Sequence, residues 1–244
     1  MTYPFISCFV PTYGRPKLLE EVIQCFLLQD YPGRKELVIL NDMPGQILYY
    51  DHPEVILINT DKRIEPLGAK FNATCDMCSG DFLTPWDDDD IYLPHKLTHA
   101  AENIVDGIYH TGNAWFWSGR NDGSVSMSFE MNQHHPNLLA HREKFEEVGY
   151  YPIEDHGGID GILMKAMGIH KPFKEEERED VHFMYRWNSP SYHISSLKHT
   201  TPEVAKHNLL DNRKDMIILK PHWSKDWAKM IYYLGGPAYG VVAC

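Results

Sequence analysis

At 244 residues the chain sits at the upper end of one domain, or of one domain with a short tail, and needs no disulfide staples to bury an adequate core. Its 43% hydrophobic, 12% aromatic and 23% charged residues exclude a disordered or low-complexity chain, and no internal repeat is evident. A net charge of −11 argues against tight, sequence-indifferent nucleic-acid binding, which relies on Lys and Arg, while leaving room for a locally basic groove. Five cysteines are present, and Cys75 and Cys78 form a lone C-x-x-C one turn apart on a predicted helix. With no second pair, they read as buried thiols rather than a zinc or redox site. There is no signal-like leader and no apolar run near the ~20 residues that span a bilayer, which predicts a cytoplasmic protein without a transmembrane segment.

Phe5 to Val10 reads as a buried strand ending at Pro11, and Pro16 suits the first position of a helix. Leu18, Leu19, Val22, Ile23, Phe26 and Leu27 then recur at helical spacing, with Glu20, Glu21 and Gln24 on the other side. Glu36 to Leu40 and Val55 to Ile58 are further strands, Ala69 to Ser79 a helix, Phe82 to Trp86 a fourth strand, and Pro94 to Ile104 a helix. The second half is less regular. Trp115 to Trp117, Ser124 to Met131 and Phe183 to Trp187 read as strands, and Ala140 to Glu147 and Asp160 to Met167 as helices. The alternation predicts an α/β domain with a largely parallel sheet.

Ligands of open α/β sheets bind beyond the carboxyl ends of the strands. Thr12, Tyr13 and Arg15 follow the first predicted strand, Asn41 and Asp42 the second, and Asp87, Asp88, Asp89 and Asp90 the fourth, so three strand ends deliver polar groups to one edge. Four consecutive carboxylates repel one another unless a cation lies among them. At a strand end Asp87 and Asp89 would share a face, suiting a hard divalent ion such as Mn²⁺ or Mg²⁺. The competing reading is an acidic helix start, which suits Asp90 in particular.

Together, Ile6-Ser7-Cys8-Phe9-Val10-Pro11-Thr12-Tyr13-Gly14-Arg15-Pro16, Leu37-Val38-Ile39-Leu40-Asn41-Asp42 and Trp86-Asp87-Asp88-Asp89-Asp90 resemble the family 2 glycosyltransferases of the GT-A fold. The resemblance is specific over the first hundred residues and weaker beyond, and Gly14 stands where the family usually has Asn. It implies a Rossmann-like domain whose mostly parallel central sheet is flanked by helices. Residues 1–105 would form the nucleotide-sugar half, 106–195 the acceptor-binding and catalytic half, and 196–244 a helical tail. Pro11, Thr12 and Tyr13 would line the nucleotide pocket, with Arg15 near base or diphosphate. Asp42 would accept a hydrogen bond from a uracil-like base, and Asp87 and Asp88 would lie by the nucleotide. Lys70 and Asn72 match the basic residue and Asn that such enzymes place near the donor, against the alternative of a solvated helix face.

The family also implies a carboxylate base at a helix start after a G-[FY]-x-x stretch, here Val148-Gly149-Tyr150-Tyr151-Pro152. Asp155 and Asp160 compete for that role; Asp160 is favoured because it precedes the apolar helix, and capping is the alternative for both. Asp89, Asp87 and His193 are the metal candidates, His193 equally readable as a packed residue. His134 and His135 read as acceptor-side or surface residues. The implied reaction moves a sugar from a nucleotide diphosphate donor, UDP by preference, to a glycan or other hydroxyl-bearing acceptor, with inversion. A nucleotidyltransferase would need a Gly- and basic-rich loop that Pro11 to Pro16 lacks. A binding module without turnover and a transferase acting on modified DNA bases are the remaining alternatives.

Overall fold

The computed structural model describes residues 2–118, 125–129, 134–153, 158–170, 175–187, 211 and 213–236. The first half runs β1 (Ile6–Thr12), α1 (Pro16–Leu27), β2 (Lys35–Asn41), β3 (Ile47–Tyr49), β4 (Val55–Asn59), α2 (Leu67–Asp76), β5 (Phe82–Pro85), β6 (Ile91–Tyr92) and α3 (Lys96–Glu102). The second half adds β7 (Ile108–Tyr109), β8 (Asn113–Ser118), β9 (Val125–Phe129), a single 3₁₀ turn at His135–Asn137, β10 (Leu139–His141), α4 (Arg142–Val148), α5 (Ile159–Ala166), β11 (Phe183–Trp187), β12 (Met216–Ile218) and α6 (Trp227–Tyr232).

A six-stranded sheet of order β4-β2-β1-β5-β10-β7 forms the centre, and β4, β2, β1 and β5 are parallel while β10 runs antiparallel. Every residue of β1 and β2 is buried, because both faces of the sheet are covered. The period of two divides them. Ile6, Cys8 and Val10 enter a core with Val22, Ile23 and Phe26 of α1, whereas Phe9 faces Phe71, Phe145 and Leu163 from α2, α4 and α5. A second sheet of order β6-β11-β8-β9 and the parallel pair β12-β3 complete the described architecture. This is the expected α/β arrangement with a mostly parallel sheet. No helix among the described residues is long and apolar enough to cross a membrane.

Several details depart from the sequence-based expectation. Ala140 and His141 are strand rather than helix, because Ala140 pairs with both Leu83 and Ile108, partners that local periodicity cannot reveal. The short β3 was not expected, and its partner β12 makes the segment after residue 196 other than purely helical. Glu21, expected on the polar side of α1, is only 4% exposed. Residues 87–90 form a turn rather than a continuation of β5, so strand alternation does not govern where their carboxylates point.

Candidate active site

The carboxyl ends of β1, β2 and β5 bring the expected polar residues to one edge. At the end of β1, Pro11 and Thr12 are still paired in register with Leu40 and Asn41 of β2, which fixes the distance between the first two clusters. Thr12 Oγ1 donates to Asp88 Oδ2 at 2.5 Å. Arg15 grips the same carboxylate with two nitrogens, Nε on Oδ2 at 3.1 Å and Nη2 on Oδ1, and reaches Asp89 Oδ2 with Nη1 at 3.3 Å. Forked guanidinium–carboxylate contact of this kind is geometrically specific. Burial pushes Asp88 upward, and Arg15 and Thr12 oppose that shift.

At the end of β2, Asp42 is fully buried and accepts from Lys70 Nζ at 2.5 Å, from the Ile64 N–H at 2.9 Å and from Arg63 Nη1 at 3.4 Å. Lys70 is 3% exposed, and its ammonium also donates to the Thr12 carbonyl at 2.6 Å, which ties α2 to β1. Burial lowers Lys70 to about 8 while Asp42 pulls the other way. The Arg63 guanidinium carbon lies over the Tyr13 ring, 3.7 Å from its centroid. Arg63 escaped the sequence reading because it lies in an irregular segment after β4, where no periodicity marks it.

Asn72 is placed differently from expectation. Its amide nitrogen donates to the Tyr151 carbonyl and its oxygen accepts from the Tyr151 N–H, both at 2.9 Å, so both ends of the side chain clamp backbone. The same approach explains Gly68: a Cβ there would stand 2.0 Å from the Pro152 carbonyl oxygen. Upstream, Gly149 ends α4 in the left-handed conformation, φ 75°, and turns the chain toward Tyr151. Tyr151 stacks on Phe71 at 4.6 Å between ring centroids, and its hydroxyl meets His135 Nε2. His135 and His134, expected on the acceptor side or the surface, are 3% and 4% exposed.

Asp160 stands in the first turn of α5. Among the described residues its carboxylate makes no hydrogen bond or ion pair, and the Asp87 side chain makes none either. The two nonetheless share one field. Burial first, then Asp89, Asp160 and Asp88, raise Asp87 well above the usual carboxylate range, with Arg15 opposing. Asp160 likewise opposes the burial that lowers His135 to about 4. Asp155 and His193 lie outside the described residues.

The aspartate turn offers only carboxylate oxygens, a donor set that suits Mg²⁺ or Mn²⁺. Among the described residues the Asp87 carboxylate carries no hydrogen bond and the Asp89 carboxylate a single contact with Arg15, so both have oxygens to give. Among the described residues one group brings three candidate ligand atoms within 4.8 Å of one another, His99, Glu176 and Asp180, and it belongs to α3 and the segment before β11 rather than to this turn.

Comparison with known proteins bears on the family and the fold. The sequence profile described as Glycosyl transferase family 2 matches residues 7–160, from β1 to Asp160. The GalNAc(5)-diNAcBac-PP-undecaprenol beta-1,3-glucosyltransferase of Campylobacter jejuni is 30% identical over 182 residues, 71% of this chain and 56% of that protein. This chain thus matches little more than half the length of that relative. An uncharacterized glycosyltransferase of Methanocaldococcus jannaschii, MJ1057, is 22% identical over 96% of this chain and 85% of its own. Among solved structures, the mannosyltransferase PcManGT from Pyrobaculum calidifontis, in complex with GDP-Man and Mn²⁺, superposes with a TM-score of 0.57 at 18% identity, over 85% of this chain and 65% of that one. S. aureus TarS 1–349 in complex with UDP-GlcNAc gives 0.55 at 16% identity, over 85% and 64%. The motif order, the strand-end site and the profile match agree: this chain belongs to the family 2 glycosyltransferases.

Proposed function

We propose that the protein transfers a sugar from a nucleoside diphosphate donor, UDP by preference, to an acceptor hydroxyl, with a divalent cation and with inversion at the anomeric carbon. The observation that carries this reading is the pair of carboxylates, Asp87 and Asp160, that share one electrostatic field yet have no hydrogen-bonding partner among the described residues. Tyr13, under Arg63, supplies an aromatic ring at this edge, and Asp42, held by Lys70, Ile64 and Arg63, supports it from within. Arg15 holds the aspartate turn against β1 and neutralises part of its charge. Asp160 takes the proton from the acceptor hydroxyl as the new bond forms, a role in which unbonded lone pairs are an advantage. Asp87 and Asp89 would hold the cation, which when bound supplies Lewis-acid neutralisation of the departing diphosphate. A single displacement of this kind inverts the anomeric centre.

Support for the donor class also comes from the solved neighbours, whose bound molecules are UDP, UDP-GlcNAc and GDP-Man with Mn²⁺. Because both bases occur, the decisive experiment compares them. Calorimetric titration of UDP, GDP and dTDP is carried out with and without Mn²⁺ on the wild type and on Asp89→Ala. The expected result is UDP binding that tightens with Mn²⁺ in the wild type and loses that increment in the variant. An absence of nucleotide binding under every condition would remove the activity and leave a fold without its donor.

A further inference from the structure

Arg186, on β11, is 6% exposed and sits behind the aspartate turn. Its backbone N–H donates to Asp90 Oδ1 at 2.8 Å, its Nε donates to the Asp89 carbonyl, and its Nη1 is paired with Glu21 Oε2. One residue thus fixes the backbone of Asp89 and the side chain of Asp90. Glu21, buried on α1, is in turn saturated: Oε1 accepts from the Ser224 N–H at 3.0 Å, from Ser224 Oγ at 2.7 Å and from Trp227 Nε1 at 3.1 Å. Burial alone would raise the Glu21 carboxyl, but Arg186 and Ser224 outweigh it and hold it below the usual range, so the carboxylate stays charged.

We propose that Arg186 is a positioning residue for the aspartate turn, braced by Glu21 and through it by Ser224 and Trp227. The turn carries four adjacent acids, of which Asp88, Asp89 and Asp90 are buried. Left to itself such a turn would splay toward water. Arg15 holds Asp88 and Asp89 from the β1 side and Arg186 holds Asp89 and Asp90 from the β11 side, so within the turn only the Asp87 carboxylate is unbonded among the described residues. A guanidinium is required because two nitrogens at a fixed angle serve two acceptors at once; a lysine ammonium keeps the charge but not the fork. The inference rests on reading the turn as the cation-and-diphosphate site.

The test uses Arg186→Lys in the full chain, with Glu21→Gln as the second variant should the first fail to fold. Two readouts are taken: UDP affinity with and without Mn²⁺, and hydrogen exchange of the amides from Trp86 to Ile91 in the nucleotide-free protein. The expected result is a Mn²⁺-dependent increment reduced about tenfold, the size of one lost charge-assisted hydrogen bond, with metal-free UDP affinity changed less than about twofold. Exchange accelerates at residues 86–91 while β4, on the far edge of the sheet, keeps wild-type rates. A variant that melts earlier but keeps the full Mn²⁺ increment and uniform exchange would overturn the proposal and leave the pair a stability element. Should the wild type show no Mn²⁺ dependence at all, the donor-site reading fails by itself. The exchange data then decide whether Arg186 fixes the turn.

Discussion

The two ends of the strand-edge site treat their acids in opposite ways. On the Asp42 side each acid already has its cation: Lys70 and Arg63 on Asp42, and Arg15 on Asp88. On the Asp160 side, Asp160 and Asp87 have neither a cation nor a hydrogen bond among the described residues, although each stands in the other's field. Paired acids in a buried setting fix shape, since removing one partner strands a charge. Unpaired acids at the same edge keep lone pairs for a proton, a cation or a substrate. The contrast separates a floor that is built from the wall proposed to react.

The largest expected effect comes from the reactive side. Asp160→Asn should lower kcat by about 10²- to 10⁴-fold while leaving UDP affinity within about twofold, as steady-state kinetics and calorimetry would show. Unchanged turnover would break the comparison and transfer the role of base to Asp155. On the built side, Lys70→Met leaves Asp42 buried with only the more distant Arg63 for compensation. A loss of about 3 kcal/mol in urea-measured stability is expected, and a loss under about 1 kcal/mol would mean that Asp42 does not depend on its pairing. The pH dependence of stability tests the packing near Asp160. His110, His134 and His135 are lowered by burial to about 4 from an ordinary value near 6.5. The unfolded chain therefore takes up protons first, so stability present above about pH 6.5 is lost as the pH falls toward about 4. A melting temperature unchanged between about pH 7 and about pH 4.5 would contradict neutral, buried histidines at this wall.

Much of the fold was legible because it is local. The alternation of β1, α1 and β2, the Pro16 helix start and the polar residues at three strand ends all follow from short-range periodicity and from turn residues. What was not legible depends on partners far away in sequence. Glu21 looks like any solvent-facing acid on α1 until Arg186 is found opposite it, 165 residues later. Leu139 to His141 becomes strand only because β5 and β7 offer free edges. Asn72 was grouped with the donor residues, yet the backbone of Tyr151 takes up both ends of its amide. The run of four aspartates announced a charged site, but its turn geometry, and hence which acid faces which cation, is set by two arginines on different elements.

The bracing of Glu21 also bears on how the protein is made. Its bonds to Arg186 and Trp227 span 165 and 206 residues, so the α1 carboxylate waits for partners synthesised long after it. Loop closure over such separations is slow, and contacts of high sequence separation form late. A nascent chain that has already laid down β1, α1 and β2 therefore carries an uncompensated acid within its forming core until Arg186 has left the ribosome, and Ser224 and Trp227 complete its hydrogen bonds later still. Bracing of the aspartate turn then follows formation of the β1-α1-β2 unit, and a nascent chain stalled before residue 186 should hold that unit without an ordered turn.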